Sequence, residues 1–66
     1  MKIFVNGQPY EVKQDSTLVE LLAELGWKPT QVVTERNGAV VPRSEASSVV
    51  LAEGDHLEII LPVAGG

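Results

Sequence analysis

The residues best placed to do chemistry are the last two. The chain closes Pro62-Val63-Ala64-Gly65-Gly66, and two terminal glycines leave a carboxylate on a thin run of backbone with no side chain beside it. Such an end enters a narrow active site where a larger residue would meet the walls. At average glycine usage of about 7% a terminal pair arises by chance roughly once in two hundred chains, and a frayed terminus would look the same. The rest of the chain has to decide between these readings.

No other residues offer a catalytic constellation. His56 is the only histidine and there is no cysteine, so His56 reads as a strand-end residue rather than a metal ligand or base. Asp55 beside Gly54 is turn chemistry, and one acid does not make an acid–base pair. Ser44, Ser47 and Ser48 lack a nucleophile–base arrangement. No glycine-rich phosphate loop is present, so the chain is not expected to bind ATP by itself. The formal net charge of −4 argues against nucleic acid, whose phosphates need clustered Lys and Arg. No apolar run reaches membrane-spanning length and no signal peptide is visible. A cytoplasmic location is therefore expected.

Sixty-six residues make one small domain held by packing, since no disulfide is available to staple it. The N-terminal segment reads as a hairpin: Met1 to Val5 alternates, Asn6-Gly7 is a favoured two-residue turn, and Gln8 to Lys13 returns. That register pairs Val5 with Gln8, Ile3 with Tyr10 and Lys2 with Glu11. It turns Met1, Ile3, Val5, Tyr10 and Val12 toward the core. Pro9 marks the second strand as an edge. Thr17 and Glu20 form a capping box. Behind it Leu18, Leu21, Leu22 and Leu25 give a helical stripe that Gly26 ends, with Trp27 packing back. Two strand-like runs, 32–36 and 39–41, flank a second Asn-Gly. Residues 44–48 suit a turn and 49–51 a short strand. The last strand, 56–63, should turn Leu57, Ile59 and Leu61 inward and lie centrally beside the first. The expected architecture is α+β, a mixed sheet wrapped on one helix. The domain should occupy 1–63, with 64–66 a flexible tail.

In this order and spacing the chain resembles the ThiS family, the ubiquitin-like sulfur carriers of thiamine (thiazole) biosynthesis. The resemblance rests on Met1-Lys2-Ile3-Phe4-Val5-Asn6-Gly7, Thr17-Leu18-Val19-Glu20-Leu21-Leu22 and Glu35-Arg36-Asn37-Gly38-Ala39-Val40-Val41-Pro42-Arg43. It continues through Gly54-Asp55-His56-Leu57-Glu58-Ile59-Ile60 to Gly65-Gly66. One departure is visible: members often carry a large aromatic where this chain has Ala46.

The resemblance implies a β-grasp fold with a four- to five-stranded sheet. It also implies that the chain is a protein co-substrate rather than an enzyme. A ThiF-like adenylating partner would join the Gly66 carboxylate to AMP, using ATP. A persulfide sulfur supplied by a cysteine desulfurase would take AMP's place and leave a thiocarboxylate, which thiazole synthase would consume. Ala64 and Gly65 would form the slender approach to that carboxylate. The missing cysteines are consistent with sulfur carried on the terminus. Phe4 and Ile60 should lie on the solvent side of adjacent central strands as a small apolar patch. Ubiquitin-like domains dock through that sheet face, which makes the two residues candidate partner contacts. Arg43 matches a family position, where it holds the crossover or meets a partner's acidic group. Two other readings stay open: a carrier for another pathway, as in the small subunit of molybdopterin synthase, and a noncovalent β-grasp interaction module.

Overall fold

A computed structural model of the chain describes residues 1–62. Its elements are β1 (Lys2–Val5), β2 (Gln8–Glu11), α1 (Leu18–Glu24), β3 (Val33–Arg36), β4 (Ala39–Val41) and β5 (His56–Ile60). Single 3-10 turns occupy Pro29–Gln31 and Arg43–Glu45.

Both hairpins follow from their Asn-Gly turns. Asn6 and Asn37 have φ of 50° and 51°, and the glycines after them 82° and 88°, a primed turn whose twist suits two antiparallel strands. The β1–β2 register is Lys2 with Glu11, Ile3 with Tyr10, Phe4 with Pro9 and Val5 with Gln8, as the alternation predicts. The five strands run β2-β1-β5-β3-β4. The Pro9-bearing strand is thus an edge, and β5 is central, parallel to β1 and antiparallel to β3.

The helix is short, and its ends are accounted for donor by donor. Leu18 N–H donates to the Val49 carbonyl and Val19 N–H to the Ala46 carbonyl. Glu20 N–H donates to Thr17 Oγ1, while Thr17 N–H donates back to the Glu20 carboxylate at 2.8 Å. At the other end Gly26 (φ 89°) takes the left-handed position. Its N–H reaches Ala23, and Trp27 N–H reaches Leu22 at 2.8 Å, the paired closure that glycine permits. Leu18, Leu21 and Leu22 are buried against Ile3, Val12, Val32, Leu51 and Leu57, with Leu25 and Trp27 packed at the margin.

Two expectations need correction. Residues 49–51 do not form a strand of the sheet. Their backbone closes the helix start instead, through Leu18 N–H to Val49 and Leu51 N–H to Ser16, with one bridge between Thr17 and Val50. The last strand stops at Ile60 rather than running on through Leu61 and Pro62, because Ile60 already pairs with Val33, the first residue of β3. Among the described residues no partner strand remains beyond Ile60, so Leu61 is 53% exposed instead of buried. Residue 63, the expected end of the strand, lies outside the described residues. Ala46, at the position where the family favours an aromatic, is buried in the core.

Candidate functional site

The element that matters most for a reactive terminus is the strand leading to it. β5 has paired neighbours on both sides, and both of its ends are clasped by side chains. At its start, His56 N–H donates to Asn37 Oδ1 at 2.8 Å, and Asn37 N–H donates to the His56 carbonyl at 2.7 Å. Near its end, Ile59 N–H donates to Asn6 Oδ1 at 2.8 Å and Asn6 Nδ2 donates to the Ile59 carbonyl at 3.3 Å. The first residue of each hairpin turn thus extends the ladder onto β5. At Asn6 the side-chain amide supplies both donor and acceptor, whereas at Asn37 the side-chain oxygen accepts and the backbone N–H donates. An aspartate at position 6 could only accept. As sequence the two asparagines read simply as turn formers, and their spacing carries no sign of the second role.

Asn6→Gly isolates this clasp, since glycine keeps the positive φ but has no amide. We expect a stability loss of about 1–2 kcal/mol, two modest hydrogen bonds. Amide exchange at Ile59 should accelerate, with little change at Leu57. Equal protection at Ile59 in the variant would show that the clasp does not hold the strand end.

The start of β5 is anchored more heavily. Asp55 is 6% exposed and accepts from Arg36 Nε at 2.9 Å, Asn37 Nδ2 at 3.0 Å and Ala52 N–H at 2.8 Å. Arg36 also donates to the Val50 carbonyl at 3.3 Å. Burial pushes the Asp55 carboxyl up. The bonds from Ala52, Asn37 and Arg36, with the guanidinium charge, outweigh it and hold the group below its ordinary value. Asp55 is therefore more than a turn residue: it joins the loop before β5 to the end of β3 and to the β3–β4 turn.

Phe4 and Ile60 both lie on the outer face, but as separate spots rather than one patch. Phe4 sits beside His56 in the β1–β5 register. Its ring stacks on the imidazole with centroids 4.6 Å apart, and Lys2 Nζ is 5.7 Å from the ring centre. Ile60 is four residues further along β5, roughly 13 Å at strand spacing. Between them Glu58 lies directly opposite Glu35, a like-charge pairing that works against the sheet. Arg43 is exposed on the 3-10 turn, and among the described residues its side chain makes no salt bridge. Ala64, Gly65 and Gly66 lie outside the described residues. Among the described residues no three His, Cys, Asp or Glu side chains gather to hold a metal ion, and no helix is long and apolar enough to cross a membrane.

A family model described as "ThiS family" matches residues 3–66. The fold superposes on the crystal structure of a thiamine biosynthesis protein (ThiS) from Geobacter metallireducens with a TM-score of 0.86 and 30% identity, covering all of both chains. The sequence is 44% identical over 66 residues to a thiazole synthase of Magnetococcus marinus. It is 32% identical to the uncharacterized protein ycf40 of Pyropia yezoensis, covering 93% of that protein. The chain spans 20% of the length of the thiazole synthases it matches.

Proposed function

The chain belongs to the ThiS family, and on that premise we propose that it carries sulfur for thiamine biosynthesis on the carboxylate of Gly66. One observation carries the reading. The central strand of the sheet, paired on both sides and clasped at both ends, leads in the sequence straight to Gly65-Gly66. A rigid root with a slender end is what a protein needs to present one carboxylate to several enzymes in turn.

A carboxylate resists substitution because its charge is shared and oxide is a poor leaving group. In the proposed cycle a Gly66 oxygen attacks the α-phosphate of ATP on a ThiF-like partner, and pyrophosphate departs. The resulting acyl-adenylate has AMP as a good leaving group. The terminal sulfur of a persulfide, supplied through a cysteine desulfurase, attacks the acyl carbon and AMP leaves. A thiol then splits the sulfur–sulfur bond, its own sulfur being oxidised to the disulfide, and the thiocarboxylate remains. Thiazole synthase accepts that sulfur, a pairing supported by the relatives of that name. Ala64 and Gly65 keep the approach narrow, while Phe4, Ile60 and Arg43 supply contacts on the domain surface. The partners provide the catalytic groups, and this chain provides the reacting atom.

Pyrophosphate release tests the reading. With the adenylating partner and ATP, release should require this chain and rise in proportion to it. If the partner activates its own carrier but releases no pyrophosphate with this chain, the reading fails.

A further inference from the structure

We propose that the hollow at the root of the tail is the socket for an apolar side chain of the adenylating partner. This rests on the carrier reading above and adds to it where that partner grips. Val63 to Gly66 follow Pro62, and four residues at no more than about 3.6 Å each place the carboxylate within roughly 14 Å of Pro62. An enzyme that encloses that carboxylate in its active site must therefore press the rim of its channel against this end of the domain.

The surface waiting there is concave and apolar. Val5, Asn6, Leu25, Trp27, Ile59 and Leu61 enclose about 310 Å³. Leu25, Trp27 and Ile59 pack on the core behind it, and Leu61 forms its exposed lip. The polar side chain in the wall, Asn6, already spends its oxygen and its nitrogen on Ile59. Among the described residues no charged side chain lines the hollow, so a polar ligand would find little to hold it. An aliphatic or aromatic side chain fits this lining, the usual chemistry of a buried anchor ringed by polar contacts. A larger groove of about 550 Å³ runs beside β4. It includes Arg36 and Asn37 at the opposite end of β5, away from where the tail leaves.

The test compares Leu61→Asn and Trp27→Ala with Val50→Asn in partner-dependent adenylation. Val50 is also exposed, but pairs with Thr17 at the far end of the helix. Leu61 lies outside the strand and the core, so its variant should fold normally even if Trp27→Ala does not. The expected result is a half-saturating carrier concentration raised roughly tenfold or more for Leu61→Asn, with turnover at saturation retained, the mark of lost binding rather than lost chemistry. Val50→Asn should behave as the parent. Normal saturation by Leu61→Asn, or an equal defect in Val50→Asn, would overturn the socket while leaving the carrier reading intact. Failure of the parent chain to be adenylated at all would defeat the carrier reading and the socket with it.

Discussion

A chain lacking only Gly66 is expected to fold normally and to lose activation by at least about a hundredfold. The truncation leaves a carboxylate, but moves it back by up to about 3.6 Å along the chain. Displacement of a reacting group by 1 Å is enough to cost on the order of a hundredfold in an enzyme site. The buried core runs from Ile3 to Leu57, so thermal unfolding should not change. Pyrophosphate release with the adenylating partner is the readout, at saturating carrier so that weakened docking does not imitate lost chemistry. A noncovalent β-grasp module would lose little from the same deletion. Full activation of the shortened chain would therefore place the function elsewhere than at the terminal carboxylate.

The second large effect concerns the root of the tail. Asp55→Ala is expected to cost about 3 kcal/mol, since it removes the buried carboxylate of a part-buried ion pair together with the three hydrogen bonds it accepts. It strands the Ala52 N–H and the Asn37 amide and leaves Arg36 without its carboxylate. For 66 residues, total stability on the usual per-residue scale is roughly 3–10 kcal/mol. The change should lower Tm by more than about 10 °C. The native carboxyl titrates below its unfolded value, which fixes the sign with pH. Its stabilising contribution is complete above the unfolded value near 3.9 and disappears as pH falls through the lower native one. Asp55→Asn should therefore unfold with less dependence on acid below about pH 4 than the parent. Some slope should remain, because Glu20 is also held below its ordinary value, first by the Thr17 backbone N–H and then by the Thr17 hydroxyl. Chemical denaturation across that range, with Tm at neutral pH, checks both statements. An unchanged Tm in Asp55→Ala would show that the cluster does not anchor β5.

Much of the fold is legible wherever local chemistry and the hydrophobic period agree. The Asn6-Gly7 turn sets the first hairpin's register pair by pair. The box at Thr17 and Glu20 and the glycine at 26 mark the helix at both ends. What the sequence does not disclose depends on neighbours distant in the chain. Residues 49–51 have strand composition, but their backbone closes the helix start, which only the folded crossover brings near. Leu61 continues the inward alternation of Leu57 and Ile59, yet β3 begins opposite Ile60 and leaves it unpaired. The shared face of Phe4 and Ile60 follows from alternation. Their separation depends on the β1–β5 stagger, which places His56 beside Phe4. The asparagine clasps and the Asp55 cluster join residues up to 53 positions apart, beyond the reach of any local pattern.

The measurement that bears most directly on the central claim is an intact mass of this chain after incubation with the adenylating partner, ATP and a persulfide source. Fragmentation then locates any change. Sulfur in place of one oxygen, confined to the C-terminal fragment that ends in Gly66, is the predicted result. Oxidation of Met1 gives nearly the same shift, and its position at the other end of the chain separates the two. An unchanged C-terminal fragment, with the partner shown to be active on a carrier of its own, would contradict the account.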